Sequence, residues 1–517
     1  MSRPPNIIIC LCDQLRPFEV GCYGHPMIST PNMDRMAHEG PWFPVACSNS
    51  PLCVPSRSVL LSGQYARTCT GTSSGFCGFP PSAQRLVLPD RTLPEVLRAA
   101  GYRTGLVGKW HLHPAPHLLG FEEATYPHNL HQHHGQSFYD LEGRRTVVDG
   151  FSLDFEWEAV ASFLRRHSRE PFFLYYNLSP PHMPLLDAPA RFTERYGRDD
   201  VRLRPNALVD GALVRDVDWF RQYLWDYKGA LALHLKDQEI PMPADYRTRK
   251  AEGPSHGLKD TLRGIRELME HPEAGPAVRA RFPYLADERV DAMDLWDLTA
   301  LYYGMTSCVD EYLGRLLDAL RGDLAENTIV VFASDHGDLL GSHGLWMKDH
   351  VYEEACRIPL LFHAPGRLSP ARLDGHVASL VDLAPTLLSL AGLRAPDSMQ
   401  GRDLAPLLRG DGDPAGENVA FIETFRHRLL GVRSPTRVYA VSMIGEDEAT
   451  WRPDEDPARH LSFDLEQDPY QLDNLVSSGR VNGNTERLRE RLFEWHRQTP
   501  RRPPPRGALP DADVSIY

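Results

Sequence analysis

Long apolar runs that end in polar residues occur at two distant points of the chain. One run follows Asn6 and covers residues 7–12, and the other follows Thr328 and covers residues 329–333. Unbroken apolar runs of this length are typical of strands that are buried on both faces of a parallel sheet. Because ligands of open α/β sheets bind beyond the carboxyl ends of the strands, the polar residues that follow both runs should share one site. These residues are Asp13, Gln14, Asp335 and His336.

A third apolar run, residues 172–174, leads into a polar and proline-rich segment around His182. Amphipathic stretches such as residues 309–320 lie between the apolar runs. Buried strands that alternate with amphipathic stretches favour an α/β fold.

The four polar residues at the strand ends offer mostly hard oxygen ligands and one imidazole. Such a set suits Ca²⁺, Mg²⁺ or Mn²⁺ better than a thiolate-binding metal, and the imidazole favours Mn²⁺ somewhat. For either pair alone, a strand-end turn or a helix cap is an equally good explanation, because Asp and Gly are common there.

Composition and charge narrow the class of protein. The length exceeds one usual domain, and a net charge of −13 disfavours nucleic acid as a partner. No stretch is apolar enough to cross a bilayer, so we expect no membrane partner. The first strand follows residues 1–5 directly, without a signal peptide, which favours a cytoplasmic location. The nine cysteines are an odd number and are better explained as reduced thiols than as a disulfide framework.

The segment Leu52-Cys53-Val54-Pro55-Ser56-Arg57 contains the pattern Cys-x-Pro-x-Arg. It resembles the signature of the type I sulfatases of the alkaline phosphatase superfamily, in which the cysteine is oxidised to Cα-formylglycine. The resemblance implies a formylglycine at Cys53 and a transient partner, the formylglycine-generating enzyme. One hydroxyl of the hydrated aldehyde can attack sulfur, and the other can later expel the bound sulfate. A serine or a thiol has no second hydroxyl for that step.

Three further segments support the resemblance. Residues 101–111 resemble the family block G-Y-x-T-x-x-x-G-K-W-H, residues 175–184 the block around P-H-x-P, and residues 344–354 the block W-x-K-x-x-x-Y-E-E. Each block carries a histidine or a lysine that faces the sulfate in the family. The catalytic residues that these blocks imply are Lys109, His111, His182 and Lys348.

The resemblance also implies the fold. It predicts an alkaline-phosphatase-like α/β sandwich with a large, mixed but mostly parallel sheet, and a smaller C-terminal α+β domain. We place the catalytic domain at residues 1–395, with a variable insertion at about 190–290, and the C-terminal subdomain at residues 396–496. Residues 497–517 form a Pro/Arg-rich tail, which is a candidate contact with a neighbouring subunit of a homo-oligomer.

The implied reaction is the hydrolysis of sulfate monoesters to an alcohol and inorganic sulfate. Arg57 would hold the formylglycine hydrate, and Lys109 and Lys348 would neutralise the transferred group. His182, together with Lys348, would protonate the departing alcohol, and His111 would deprotonate the second hydroxyl. One divalent ion, Ca²⁺ or Mn²⁺ rather than Mg²⁺, would be bound by a single set of residues. The implied ligands are Asp13, Gln14, Cys53 as formylglycine, Asp335 and His336.

Gln14 departs from the usual sulfatase pattern, which has a second acidic residue there. The pairs Asp-Gln and Asp-His resemble choline sulfatases and phosphonate monoester hydrolases, so a phosphonate monoester or phosphodiester hydrolase is the alternative enzyme. Those hydrolases typically carry Tyr and Thr in place of Lys109 and His111, so this pair favours sulfate. A silent binding protein with an unoxidised Cys53 is a further alternative, which the complete charged set makes improbable.

A histidine-rich stretch follows Lys109. Short tracts of this kind bind metals in some proteins. The spacing does not match a closed zinc site, and Pro and Gly interrupt it, so we expect a loop at the rim of the site rather than a second metal centre. Its members are His111, His113, His117, His128, His131, His133 and His134.

Overall fold

A computed structural model describes residues 3–71, 81–127, 132–215, 265–286, 290, 292–446 and 450–502. Strands and helices are numbered here in chain order within these residues. The strands are β1 (Asn6–Asp13), β2 (Pro41–Trp42), β3 (Val45–Cys47), β4 (Arg103–Gly108), β5 (Glu123–Pro127), β6 (His134–Tyr139), β7 (Arg145–Phe151), β8 (Phe172–Pro181), β9 (Leu208–Val209), β10 (Ala212–Leu213), β11 (Thr328–Ser334), β12 (Arg357–Ile358), β13 (Leu360–His363), β14 (Ala371–Arg372), β15 (Val377–Ser379), β16 (Ala420–Glu423), β17 (Leu429–Arg433), β18 (Arg437–Ile444), β19 (Arg452–Pro453) and β20 (His460–Asp464).

The helices lie mostly between these strands. They are α1 (Pro31–Glu39), α2 (Cys53–Ser62), α3 (Ala66–Cys69), α4 (Leu93–Ala99), α5 (Ser152–His167), α6 (Ala190–Thr193), α7 (Gly275–Arg281), α8 (Leu295–Ala319), α9 (Asp323–Glu326), α10 (Glu353–Cys356), α11 (Leu380–Leu390), α12 (Ala405–Arg409) and α13 (Gly483–Gln498). None of the described helices is both long enough and apolar enough to span a membrane.

The central sheet has ten strands in the order β14-β2-β13-β11-β1-β8-β4-β5-β6-β7. Its middle is parallel, because β1 pairs with both β11 and β8, and β4 pairs with β8 and β5. Antiparallel pairs β11–β13, β13–β2, β5–β6 and β6–β7 lie toward the edges. The expected mixed, mostly parallel sheet is therefore found.

The register of β1 and β11 brings the two polar strand ends together. Asn6 pairs with Thr328 and Cys12 with Ser334, so the residues that end or follow these strands meet at one edge. Both strands are fully buried, as their unbroken apolar runs predicted.

Two apolar clusters cover the two faces of the sheet. Ile8 and Cys10 of β1 join the cluster that contains the long helix α8. Ile7 and Ile9 face the other side and join the cluster that contains residues of α2 and α11. Successive side chains of a strand point to opposite faces, so a strand buried on both sides needs apolar residues at every position. The end of β1 that carries Asp13 therefore lies between two packed helical layers.

A second, smaller sheet follows in the C-terminal region. Strands β16, β17, β18 and β20 form antiparallel pairs, and the short strand β19 pairs with the end of β18. Helix α13 packs against β17 and β18. This agrees with the expected α+β character of the region. The proposed boundary between residues 395 and 396 stays a prediction.

The start of the predicted tail contacts its own chain. Thr68 donates its hydroxyl to the carbonyl of Pro500 at 2.7 Å, and the amide of Arg502 donates to the carbonyl of Arg67 at 3.0 Å. Residues 503–517 lie outside the described residues, and so does the part of the insertion at 216–264. The predicted subunit contact therefore stays a prediction.

Candidate active site

Four buried side chains meet where β1 and β11 end. Asp13, Cys53, Asp335 and His336 each offer one ligand atom, and these atoms lie within 4.8 Å of one another. Among the described residues, no other group of His, Cys, Asp and Glu side chains meets this spacing. The described part of the histidine-rich stretch contributes no second group of this spacing, and His128 and His131 lie outside that part.

In both Asp13 and Asp335, one carboxylate oxygen faces the cluster and the other contacts positively charged side chains. Oδ1 of Asp13 lies 3.7 Å from Nε2 of His336 and 3.8 Å from Sγ of Cys53. Its Oδ2 instead accepts hydrogen bonds from Lys109 at 2.5 Å and from Arg57 at 3.1 Å. Asp335 follows the same pattern, with Oδ1 3.6 Å from His336 and Oδ2 2.9 Å from Arg57. The inner oxygens thus face the cluster, and cations neutralise the outer ones.

His336 is arranged as a ligand. Its Nδ1 lies 2.8 Å from the carbonyl of Gly337 and must donate to it, because a carbonyl only accepts. In the neutral ring, the lone pair of Nε2 then faces Cys53 and the two carboxylates. Metal-binding histidines usually donate their other ring nitrogen in this way. Two carboxylate oxygens and one imidazole in a buried pocket fit a divalent cation.

Cys53 is the first residue of α2 and is almost fully buried. Its Sγ lies 3.1 Å from Nε2 of His336 and 3.1 Å from Nζ of Lys348. Burial and Asp13 both act to raise the pKa of the Cys53 thiol, but Lys348, Lys109 and His336 outweigh them and hold it below its ordinary value. The position therefore favours negative charge on the atom that occupies it.

Arg57 contacts the carboxylates of the cluster. Its guanidinium lies across Asp13 and Asp335 and also donates to Oδ1 of Asn177 at 2.9 Å. A further N–H donates to the carbonyl of Lys109 at 3.3 Å. A buried guanidinium needs acceptors for its N–H groups, and the two carboxylates of the cluster supply several of them. Arg57 therefore orients the ligands. Its expected contact with the formylglycine hydrate stays a prediction.

Gln14 links the cluster to Lys348. Its Oε1 accepts from Nζ of Lys348 at 2.7 Å, and its Nε2 donates to Oδ2 of Asp338 at 2.6 Å. Its backbone lies in the left-handed region, with φ of 67°, and its amide N–H donates to Asp335 at 3.1 Å. Because one partner is a donor and the other is an acceptor, the orientation of the side-chain amide is fixed. The expected ligand role of Gln14 stays a prediction, and the part of Asp338 was not anticipated.

Lys109 and Asn177 are positioned by β4 and β8. Gly108 precedes Lys109 with φ of 88°, and a Cβ at residue 108 would lie 2.0 Å from the carbonyl oxygen of Asn177. Only glycine therefore lets the two strand ends approach so closely. The amide of Lys109 donates to that same carbonyl at 3.1 Å, which directs the lysine side chain onto Asp13.

Lys348 lies in a loop that is fastened by its neighbour Asp349, a role that the sequence did not predict. Its neighbours Met347 and Asp349 both have positive φ, 66° and 71°. The amide of Asp349 donates to the carbonyl of Pro51 at 2.9 Å, and its carboxylate accepts from the amide of Phe425 at 2.9 Å. Asp349 thus fastens the lysine both to the segment before Cys53 and to the hairpin between β16 and β17.

His111 and His182 are both buried close to the cations. Burial, followed by Lys109, holds the pKa of His111 well below its usual range. Burial, followed by Lys348, does the same to the pKa of His182. Nδ1 of His182 lies 2.7 Å from the carbonyl of Met183 and donates to it, which leaves the lone pair on Nε2. Both imidazoles are therefore neutral in the free protein.

The sulfatase family model matches residues 5–393. The chain belongs to the sulfatase family. A second model, that of the C-terminal region of N-sulphoglucosamine sulphohydrolase, matches residues 341–498. The sulfatase is 26% identical to the N-acetylglucosamine-6-O-sulfatase of Bacteroides thetaiotaomicron, over 96% of this chain and 87% of that relative. It is 28% identical to human arylsulfatase A, over 95% of this chain and 87% of that relative.

Solved structures agree with this membership. A structure described as a complex with its substrate, D-glucosamine-2-N,6-O-disulfate, has a TM-score of 0.72 and 25% identity, and the match covers 98% of this chain and 100% of that one. The phosphonate monoester hydrolase of Agrobacterium radiobacter has a TM-score of 0.62 at 22% identity and covers 96% of both chains, which shows the shared fold alone. The expected alkaline-phosphatase-like fold is confirmed.

The expected reaction is confirmed at the level of the family. Sulfatases are sulfuric ester hydrolases, and the sulfatase described here hydrolyses sulfate esters. Membership also implies a divalent metal and a formylglycine, which the buried cluster of Asp13, Cys53, Asp335 and His336 fits. The choice of ion, the number of subunits and the cellular compartment stay predictions.

Proposed function

We propose that the sulfatase cleaves sulfate esters of sugars with the oxidised side chain of Cys53 as its nucleophile. One observation supports this most strongly. Sγ of Cys53 lies 3.1 Å from both His336 and Lys348, in the cluster of buried ligand atoms. The thiol occupies the position where the hydroxyls of a formylglycine hydrate would lie.

The oxidised side chain explains the full cycle. One hydroxyl of the hydrate loses its proton and attacks sulfur, the S–O bond to the alcohol breaks, and the alcohol departs with a proton. The second hydroxyl then loses its proton to a base, the C=O bond re-forms as the C–O bond to sulfate breaks, and inorganic sulfate leaves. Water finally adds to the aldehyde and restores the hydrate. A thiol at position 53 would stop at a sulfated enzyme, because it has no second oxygen to drive this release.

One divalent ion completes the site. We assign its ligands to Asp13, Gln14, Asp335, His336 and the modified Cys53. We favour Ca²⁺ or Mn²⁺ over Mg²⁺, because Mg²⁺ usually keeps several waters instead of taking a full set of protein ligands, and the imidazole favours Mn²⁺. When bound, such an ion would supply Lewis acidity and positive charge to the reacting groups. The chain's own contribution is to hold the carboxylates in place through Arg57.

The lysines supply fixed positive charge. Lys109 and Lys348 are both buried. Burial acts to lower the pKa of Lys348, but Cys53, Asp13 and Asp335 outweigh it and raise this pKa in the unoxidised protein, and the two carboxylates remain beside Lys348 when Cys53 is oxidised. Lys348 therefore carries a proton that it can give to the departing oxygen. Lys109 stays paired with Asp13 and neutralises the sulfate.

The two histidines take the other proton transfers. His111 is neutral and can act as the base that removes the proton of the second hydroxyl. His182 carries its lone pair on Nε2, so it takes a proton from Lys348 and passes that proton to the departing oxygen. Proton transfer of this kind matters most for alcohols, which leave poorly as anions.

The proposed substrate class is a sulfated sugar. The N-acetylglucosamine-6-O-sulfatase relative and the disulfated glucosamine in a similar structure support it. The test compares sulfate release from N-acetylglucosamine 6-sulfate, an aryl sulfate, choline sulfate and a phenyl phosphonate. We expect the sugar sulfate to give the highest kcat/KM. A higher value for the phosphonate would overturn the proposal and favour the alternative hydrolase.

A further inference from the structure

One histidine of the histidine-rich stretch is built into the structure behind the active site. His133 is fully buried, and its backbone is held on both sides. Its amide donates to Oδ2 of Asp187 at 2.8 Å, and its carbonyl accepts from the amide of Ser152 at 2.7 Å. The position of the imidazole is therefore fixed by its own backbone.

The imidazole points at the loop that carries His182. Nε2 of His133 lies 2.9 Å from the carbonyl oxygen of His182, and it must donate the hydrogen bond because a carbonyl only accepts. Burial also holds the pKa of His133 below its ordinary value, which agrees with a neutral ring protonated on Nε2. Together with the contact from Nδ1 of His182 to Met183, this bond fixes both the backbone and the ring of His182.

The other end of the network reaches the insertion. Arg281, at the end of α7, donates to Oδ1 of Asp187 at 2.6 Å and to Oδ2 at 2.5 Å, and both side chains are buried. A buried ion pair contributes little net stability, because desolvation offsets the attraction between the charges. What the pair does supply is a fixed geometry for Asp187, and through Asp187 for His133.

We propose that His133 is a positioning residue for sulfate ester hydrolysis, which sets the place of His182 beside the departing oxygen. Asp187 and Arg281 keep His133 in that position, so the insertion is linked to catalysis without touching the substrate. This inference rests on the proposed action of His182 on the departing oxygen. It gives a function both to the histidine-rich stretch and to the described part of the insertion.

The test uses the dependence on the leaving group. His133→Met removes the donor to His182 and should lower kcat for a sugar sulfate by about ten- to a hundredfold, as loss of an orienting partner typically does. An aryl sulfate, whose phenol departs readily without a proton, should lose little. His133→Gln, whose amide nitrogen can replace Nε2, should restore most of the sugar sulfate rate.

A double-mutant cycle separates positioning from general damage. His182→Ala should show the same bias against the sugar sulfate, and adding His133→Met to it should cost nothing further. The matched control is His460→Met, because Nε2 of the buried His460 also bonds a backbone carbonyl, that of Asp454 at 2.8 Å. This control should leave the kinetics with both esters unchanged.

The other possible outcomes contradict either the positioning role of His133 or the proposed role of His182. Equal losses on both esters, or additive losses in the cycle, contradict the positioning role of His133. A biased His182→Ala with an unbiased His133→Met refutes this inference alone. An unbiased His182→Ala removes the proposed role of His182 and this inference with it. If His133→Met does not fold, His133→Asn, whose amide ends short of the Nε2 position, is held to the same criteria.

Discussion

Replacing Lys109 by Met should separate catalysis from folding. Nζ of Lys109 donates to Asp13 at 2.5 Å and is fully buried. Methionine keeps most of the side-chain volume and removes only the charge. Arg57 still contacts the same carboxylate oxygen at 3.1 Å, so Asp13 keeps a partner and the protein should fold.

The burial of Lys109 sets the size of the effect. Two unit charges about 4 Å apart interact by about 4 kcal/mol at an effective dielectric constant of about 20, but by only about 1 kcal/mol in water. At about 1.4 kcal/mol per factor of ten, the buried value corresponds to nearly three orders of magnitude in rate. Loss of one preorganised charged donor typically costs about a hundred- to a thousandfold, and we expect kcat/KM to fall by that amount.

The assay is sulfate release by purified protein, with thermal unfolding measured on the same samples. The control is Arg433→Met, which breaks another buried ion pair, Arg433 with Glu353 at 3.1 Å. It should lower the unfolding temperature but leave kcat/KM of the folded protein nearly unchanged. If Lys109→Met retains more than about a tenth of the wild-type kcat/KM, the electrostatic role of Lys109 is refuted, because removing even one preorganised donor should cost more.

Three further predictions concern substrate choice, metal content and pH. The double variant Lys109→Tyr, His111→Thr should lower kcat/KM for sulfate esters more than for phosphonates, because it replaces the pair that favours sulfate. Active protein should contain one divalent ion per chain, and chelation should remove the ion and the activity together. Burial, followed by Arg67, lowers the pKa of His496 to about 4 from an ordinary 6.5. The free energy of unfolding should not depend on the protonation of His496 above about pH 6.5. It should fall as the pH drops toward 4, because the unfolded chain takes up the proton first.

Each of these has a clear contrary result. Equal losses on sulfate and phosphonate would remove the reason for assigning substrate choice to Lys109 and His111. Two tightly bound ions, both needed for turnover, would indicate a two-metal phosphatase instead. For His496, the measurement is the unfolding temperature between pH 7 and 4 for the wild type and His496→Gln. Parallel curves would show that the histidine does not contribute.

The fold could be predicted where apolar runs are unbroken. Strands β1 and β11 were found in this way because each is buried on both faces. The amphipathic pattern of residues 309–320 predicted only the second half of α8, which begins at Leu295. Its first half is largely buried on all sides, so no polar face marks it there. Strands of two residues, such as β2 and β14, leave no pattern at all.

The site could be predicted only in part. Residues at strand ends or in family blocks were identified, and the structure brings Asp13, Cys53, Asp335 and His336 together. The supporting residues were missed because their partners are distant in sequence. Asp349 bonds the amide of Phe425, and His133 bonds the carbonyl of His182. Contacts between separate loops follow from tertiary packing, and local sequence carries no signal for them.

The account depends most on the chemical state of residue 53. Mass spectrometry of the peptide that contains Cys53, from active preparations, measures this directly. We predict the mass loss that accompanies conversion of the thiol to an aldehyde, and a modified fraction that rises in proportion to specific activity. Cys53→Ala should be inactive but still bind one metal ion through the remaining ligands. Full activity in protein with an unmodified Cys53 would contradict the formylglycine mechanism.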